Sequence, residues 1–531
     1  MDSWILYSPL SGSSELPALA NSHLQRCFIS NTFFVWDSMM KVLLVYPEYP
    51  VTFWSFDHAL KFISKKAAYP PLGLLTVAAM LPDDWEARLV DLNVEKLKDA
   101  DLKWADYVML SAMLIQKKSV SNILQRCRSL GTRVIAGGPL FNSTPDEYVD
   151  LVDHLILNEA ELTLPPFLAD LRAGNPKKVY RTDGFPEMNL TPTPRWDLIK
   201  IEKYATLMIQ CSRGCPFDCE FCDITALYGR KARVKSADQL INELEAIYNL
   251  GWRDSVFIVD DNFIGNKGKI KKMLPRLIHW MQTYHYPFQF ITEASINLAD
   301  DDELIELMAE AGFNRVFIGL ETPNEESLEE CSKHQNRGRN MIGAIKKLQA
   351  AGIQVLGGYI VGFDNDDEGI FHRQIKFIQE SGVVTAMVGL LNAMPKTRLW
   401  QRLQAENRLR FDVTGDNTDG TINFIPRMDK ETLIKGYRKI VRTIYSPRFF
   451  YHRACKFLEH YQPRRKSHMQ GHTIKVFLKS VFYLGIVGNG ISQWYFWKML
   501  CKSLLFHRKL LPDAVTLMIF GYHFRKVSRK I

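Results

Sequence analysis

The chain is poor in several things, and each shortage narrows its reading. Five of its nine cysteines, Cys27, Cys127, Cys331, Cys455 and Cys501, stand alone, which argues against a disulfide framework. No apolar run is clean enough to read as a membrane span: the longest uncharged stretch, 480–497, is interrupted by Gly488, Asn489, Gly490 and Gln493. There is no internal repeat and no low-complexity tract, so solenoids and disordered polymers are set aside. Residues 1–38 lack a basic segment followed by an apolar one, so no secretory signal is expected. A start-like Met and a strand pattern, "MMKVLLVYPEYP", begin at position 39, and 1–39 reads as a disordered extension or a start-site artefact. Acidic residues almost vanish at the far end, where 462–531 holds 13 Lys and Arg against Asp513 alone in a chain of net charge +9. A nucleic-acid binder would spread basic surface around its working domain, so no nucleic-acid partner is expected.

What is present is a globular composition, 47% apolar and 24% charged over 531 residues, long enough for two or three domains. From Lys41, apolar runs alternate with helical patterns: "KVLLVYP" (41–47), "PLGLLTVAAML" (71–81), "ARLVD" (87–91), "DYVMLSA" (106–112), "TRVIAGG" (132–138) and "HLILN" (154–158). Continuous apolar strands alternating with helices predict a parallel sheet covered on both faces. Ligands then sit at the strand carboxyl ends, where Ser111, Gly137, Gly138, Asn158 and Glu159 fall, and the "GGP" turn would let backbone approach a ligand closely. The Pro-rich segment 185–199 reads as linker. Six more strand patterns follow, "TLMIQCS" (206–212), "SVFIVDD" (255–261), "FQFITEA" (288–294), "NRVFIGLE" (314–321), "VLGGYIVGF" (355–363) and "TAMVGLL" (385–391), the pattern of a partial (β/α) barrel with its chemistry at the strand ends. The expected organisation is a Rossmann-like domain at 40–180, a linker at 181–204, a partial (β/α)6 barrel at 205–424 and a basic helical region at 425–531. In that last region 476–511 is aromatic, apolar and basic. It suits either a helical subdomain packed on the barrel or a surface lying on an anionic membrane.

The remaining four cysteines, Cys211, Cys215, Cys219 and Cys222, share one short segment, "CSRGCPFDCEFC". A zinc site usually takes two close cysteine pairs separated by a long loop, unlike this crowding. Three thiolates can instead leave one iron of a [4Fe–4S] cluster open to a substrate amine and carboxylate.

The register Cys215-x₃-Cys219-x₂-Cys222, with Phe221 before the last cysteine, resembles the signature of the radical S-adenosylmethionine (SAM) enzymes. The likeness extends over nearly the whole chain to the cobalamin-binding branch of that superfamily, through "YPPLGLLTVAAML" (69–81), "GGPLF" (137–141), "NEAELTLPPFL" (158–168), "VDDNFIGN" (259–266) and "TEASINLADD" (292–301). The helical tail makes it most similar to the subgroup of the hopanoid C-2 methylases. The resemblance implies that Cys215, Cys219 and Cys222 hold the cluster, with Cys211 a buried thiol outside it. It implies that Asp260 and Asp261 meet the methionine end of SAM, that Glu293 and Ser295 meet the ribose, and that Glu321 follows the fourth strand in a "GLE" turn. Gly358, Ile360 and Gly362 match the adenine-side pattern, whose last position is Asn365 rather than Glu. Ser111, Gly137, Gly138 and Glu159 would face cobalamin. No Asp-x-His-x-x-Gly motif supplies a lower axial histidine, and His58 has neither its spacing nor its glycine, so the cobalt is expected to lack a protein ligand.

The implied activity is a cobalamin-dependent radical SAM C-methyltransferase: SAM cleavage yields a radical that takes hydrogen from an unactivated carbon, and methylcobalamin supplies the methyl group. The basic aromatic tail fits a hopanoid or other isoprenoid lipid drawn from a membrane and peripheral association with its inner face; a cytoplasmic location and an electron donor such as flavodoxin or ferredoxin are expected with the activity. The competing readings are radical oxidation, cyclisation or rearrangement on the same fold, and a zinc-stabilised binding protein.

Overall fold

The inner strands of the first sheet are buried on both faces, which is why they read as unbroken apolar runs. The computed structural model describes residues 39–410, 413–416, 418–465, 471–488 and 490–531; of the expected extension, 1–38 lies outside them. The strands are β1 (Lys41–Tyr46), β2 (Glu86–Asp91), β3 (Tyr107–Ser111), β4 (Arg133–Gly137), β5 (His154–Ile156) and β6 (Val179–Tyr180). All pair in parallel, in the order β2-β1-β3-β4-β5-β6. Alternate residues feed two cores: Leu43, Val45, Val108 and Leu110 on one face, Val42, Leu44, Tyr107 and Met109 on the other. Strand order reverses between β1 and β3. That switch point opens a crevice at their carboxyl ends, beside Tyr46 and Ser111 rather than beside the later β4 and β5.

The segment to the next sheet is irregular, with short turns at Met188–Leu190, Trp196–Leu198 and Ile201–Lys203. β7 (Leu207–Ile209) is followed by a small antiparallel ribbon, β8 (Ser212–Arg213) with β9 (Arg233–Val234). Then come β10 (Ser255–Ile258), β11 (Gln289–Ala294), β12 (Phe313–Glu321), β13 (Gln354–Val361) and β14 (Ala386–Leu390). The main strands are parallel and sequential, β7-β10-β11-β12-β13-β14, with β7 and β14 as unjoined edges. This is an open barrel of six strands. The expected strand 206–212 is divided, because the chain leaves β7 at Gln210 to enter the ribbon.

The end of the chain is helical. Lys430–Ile444 packs on Ile370–Ser381, and Leu511–Ser528 packs on Asp57–Ile63 of the first domain. Phe53 stacks on Phe524 with ring centroids 4.2 Å apart, and His523 Nε2 lies 3.0 Å from the Phe53 carbonyl. The pattern at 476–511 is two helices, Gly471–Ser480 with a widened turn after it (Val481–Ile486), and Gly490–Phe506.

Candidate active site

The three thiols of the radical SAM-like register lie in the loop that the β8/β9 ribbon closes at its base. Cys219 is buried, Cys215 and Cys222 are half-buried, and none is in a disulfide. Gly214, directly before Cys215, has φ +88°, and a Cβ there would lie 2.7 Å from the Lys231 carbonyl and 3.0 Å from those of Gly229 and Tyr228. Only glycine fits this turn. The two acids at the end of β10 hold the base of the loop. Asp260 accepts from Cys211 N–H (2.7 Å) and, with its other oxygen, from Ser212 Oγ (2.6 Å); Asp261 accepts from Gly214 N–H (2.8 Å). Burial raises Asp260 to about 6 against those donors, and burial raises Asp261 to about 7 with help from Asp260 and Asp223. Cys211 is fully buried with its Sγ 3.6 Å from Met273 Sδ, apart from the loop thiols.

Side chains from two later segments, Asn262 after β10 and Lys333 and Gln335 beyond β12, lie against the loop. Asn262 Nδ2 lies 3.8 Å from Cys215 Sγ and 3.2 Å from Ser295 Oγ, and Ser295 Oγ donates to Asn297 Oδ1 at 2.6 Å. Gln335 Nε2 lies 3.7 Å from Cys219 Sγ. Lys333 pairs with Glu321 at 2.8 Å and sits 5.9 Å from the centre of the Phe221 ring. Asn262, Lys333 and Gln335 carry no role in the sequence reading. Asn262 stands inside the "VDDNF" run, one residue past the acid pair, whereas the Lys333–Gln335 loop has no periodicity to mark it. Amide donors aimed at sulfur suit thiolates that carry iron, since hydrogen bonds to sulfur help set a cluster's potential. Among the described residues no group of three or more His, Cys, Asp or Glu side chains, the loop thiols included, is drawn together as a metal-holding set.

The remaining site residues ring the strand ends. Glu293 faces the barrel interior and is raised to about 8 by burial, then by Asp261 and Asp260. Glu321 takes a positive φ of 59°. Gly358 leaves room for Phe317, whose ring would be 2.7 Å from a Cβ at that position, and Ile360 packs at the edge of the core. Gly362 has φ +105° and donates its N–H to Asp366 Oδ2 at 2.9 Å. Asn365, in place of the pattern's Glu, donates from N and Nδ2 to Glu330 (3.0 and 2.9 Å).

A cavity of about 1230 Å³ joins the carboxyl ends of β1 and β3 to the barrel interior and the C-terminal helices. Tyr46, Tyr49, Asn93, Met113 and Ile115 line it from the first domain; Phe257, Ile291, Glu293, Arg315 and Phe317 line it from the barrel. It exceeds the roughly 300–1,000 Å³ of a single small-ligand pocket, which fits a large cofactor and a substrate together. Ser111, Gly137, Gly138 and Glu159 do not line it. The space beside the two glycines is already used: a Cβ at Gly137 would lie 2.6 Å from the Ile156 carbonyl, and one at Gly138 2.4 Å from Ser111 Oγ. Glu159 is engaged on both oxygens, by Arg213 (2.7 Å) and Arg233 (2.7 Å). Gly137, Gly138 and Glu159 follow the later strands and flank the crevice; at the switch point itself Tyr46, Met113 and Ile115 supply the lining and Ser111 does not. His58 is not among the lining residues; its ring lies 5.7 Å from that of His523.

A parallel switch-point sheet beside a cavity shared with an open six-stranded barrel, together with a three-thiol loop following the first barrel strand, defines a cobalamin-binding radical SAM enzyme. Family models agree, matching the radical SAM superfamily over 209–377, the B12 binding domain over 63–168, and a domain of unknown function (DUF4070) over 397–531. The chain is 33% identical over 497 residues to the hopanoid C-2 methylase of Rhodopseudomonas palustris, covering 91% of this chain and 92% of that one. It is 42% identical over 431 residues to an uncharacterised methyltransferase of Synechocystis, covering 81% and 80%. In fold it resembles OxsB, a cobalamin-dependent SAM radical enzyme solved with aqua-cobalamin and SAM (TM-score 0.58, 16% identity, 92% of this chain and 80% of that one). It also resembles the methyltransferase TsrM of Kitasatospora setae with cobalamin and a [4Fe–4S] cluster (TM-score 0.53, 14% identity, 71% and 80%). The chain belongs to the cobalamin-dependent radical SAM methylase family. It is a methyltransferase whose cofactors are a [4Fe–4S] cluster, SAM and cobalamin.

Proposed function

We propose that the chain methylates an unactivated carbon of a hopanoid or other isoprenoid lipid. The observation that carries this reading is the cavity of about 1230 Å³, walled by Trp54, Phe56, Phe257, Phe317 and Phe520. Such a wall favours a bulky apolar body through the area it removes from water. The relative named as a hopanoid methylase supports the same class. The cluster and SAM together supply hydrogen abstraction, and cobalamin supplies the methyl group.

The protein's own share is holding and excluding. Cys215, Cys219 and Cys222 would hold the cluster, with Asn262 and Gln335 turned towards Cys215 and Cys219. Asp260, with both oxygens engaged, would fix the loop, while Asp261 and Glu293 would accept hydrogen bonds from SAM. Ser295, Glu321, Gly358, Ile360 and Gly362 would shape the rest of its pocket, beside Phe221. Tyr46, Tyr49 and Met113 would meet cobalamin across the switch point, with Ser111, Gly137, Gly138 and Glu159 bracing the neighbouring strand ends. Electrons would come from a flavodoxin or ferredoxin, in the cytoplasm, with the protein held peripherally at the membrane's inner face.

The test is anaerobic incubation of the reconstituted enzyme with methyl-labelled SAM, a reductant and a triterpenoid. Label in the lipid with a mass gain of one methylene is expected. SAM cleavage without label, in any membrane lipid supplied, would overturn the lipid reading; an oxidised or cyclised product without label would put the competing radical reaction in its place.

A further inference from the structure

The helices Gly471–Ser480 and Gly490–Phe506 turn apolar side chains away from the rest of the chain. Ile474, Leu478, Phe482 and Ile486 recur at every fourth position and are 55, 60, 50 and 61% exposed. On the second helix Ile491, Trp494, Trp497 and Leu505 are 68, 55, 41 and 69% exposed, while Phe496, Met499 and Leu500 on its other side are buried. Of the 21 exposed large apolar side chains among the described residues, 12 fall within 474–506, a concentration that marks an interaction surface rather than ordinary scatter.

The charge around this face selects its partner. Lys475, Lys479, Lys498 and Lys502 are interleaved with the apolar residues, and no acid occurs between 462 and 512. Two copies meeting through this face would bring lysine against lysine. An anionic lipid surface supplies both the apolar depth and the countercharge. Tyr483, Trp494 and Trp497 add rings of the kind that settle at a membrane–water boundary, and Lys498 lies 4.6 Å from the Trp494 ring centre. Among the described residues no helix is long and apolar enough to cross a membrane, so contact would be superficial. The face also meets the cavity: Ile474, half of it exposed, lines the cavity with Val476 and Phe477.

We propose that this face docks on an anionic bilayer, with Ile486, Ile491 and Trp494 among the acyl chains, and that the substrate passes from the bilayer into the cavity beside Ile474. The second half rests on the lipid-substrate reading; the first does not. The full chain should float with phosphatidylcholine vesicles containing phosphatidylglycerol, and less with phosphatidylcholine alone or at high salt. The variant Ile486→Asp/Ile491→Asp/Trp494→Asp, checked for unchanged circular dichroism and melting, should lose at least about tenfold in partitioning. It should still methylate a detergent-dispersed triterpenoid at the wild-type rate while failing on the same lipid in vesicles. Vesicle binding that survives the triple substitution would overturn the docking face. So would a wild-type chain that ignores anionic vesicles, that binds them only after removal of 1–38, or that uses this face to dimerise. Vesicle binding with no lipid methylated under any condition supports the docking face and rejects only the substrate reading.

Discussion

Lys333 Nζ lies 2.8 Å from Glu321 Oε1, and both side chains are nearly enclosed at 13 and 6% exposure. Gly319 makes the pair possible, since a Cβ there would lie 2.4 Å from that same carboxylate oxygen and 2.9 Å from the ammonium. The "GLE" turn is therefore a packing requirement of an ion pair that sits against the thiol loop. Burial opposes the Lys333 charge, but Glu321 and Cys219 outweigh it and hold the ammonium's pKa above its ordinary value.

Breaking one half of this pair should cost more than removing both. Lys333→Met leaves a buried carboxylate unpaired, a loss of roughly 3–5 kcal/mol. Glu321→Gln strands the ammonium at a similar cost. The double variant should recover most of the loss, giving a coupling of at least about 2 kcal/mol in urea unfolding of the cluster-free chain. Additive losses would mean that the two groups are solvated separately.

The four clustered cysteines should divide three to one in iron content. Cys215→Ala, Cys219→Ala and Cys222→Ala should each abolish cluster retention after anaerobic reconstitution. Cys211→Ala should keep it, because that thiol is fully buried against Met273 Sδ at 3.6 Å. Its loss should instead appear as about 1 kcal/mol of stability from a small void. Iron and sulfide analysis reads the first effect and thermal melting the second. A Cys211→Ala protein without iron would place that thiol in the cluster.

Glu293 should make the cofactor-free chain less stable as pH rises. Burial carries its carboxyl from an ordinary 4.5 to about 8. Between those values the folded state keeps a proton that the unfolded chain has released, so unfolding is favoured by alkali. The slope contributed is at most about 1.4 kcal/mol per pH unit for one proton. Glu293→Gln, neutral throughout, should match the wild-type melting temperature near pH 5 and exceed it near pH 8.5. A variant that melts lower at the higher pH would show that the carboxylate is stabilised by a partner and that the cavity does not desolvate it.

The parts legible in the sequence were those whose partners are close along the chain. β1, β3, β10 and β13 read as apolar runs because both of their faces are covered, and Cys215, Cys219 and Cys222 stood out through their crowding and through the resemblance of their register to a known signature. The glycines of "GGP" were recognisable as a demand for close approach, but not what approaches, since Ile156 and Ser111 are brought there only by sheet order. Asn262 and Gln335 converge on sulfurs far away in sequence and Lys333 on the neighbouring Phe221 ring, and nothing local distinguishes them from surface polar residues. The same holds for the contact between Glu159 and the thiol loop, which joins residues 54 and 74 positions apart.

That contact yields the last prediction, on how the cobalamin-side domain secures the cluster loop. Glu159, at the end of β5, receives both Arg213 and Arg233, the two strands of the ribbon beneath the thiols. Glu161 receives only Arg213, at 2.8 Å, and also accepts from Thr191 Oγ1 at 2.7 Å. Glu159→Gln leaves Arg233 with carbonyl acceptors alone, Pro186 and Tyr228, and a buried guanidinium without a countercharge is expensive. Glu161→Gln leaves Arg213 still paired to Glu159. The expected order of destabilisation is therefore Glu159→Gln, about 3 kcal/mol or more, well above Glu161→Gln at about 1 kcal/mol. Because Arg213 stands two residues before Cys215, the first variant should also lose iron faster to a chelator at temperatures below its melting point. Equal iron retention in the two variants, with the stability order intact, would mean that the ribbon holds its shape through Asp260 and Asp261 and that the ion cluster serves only to join the domains.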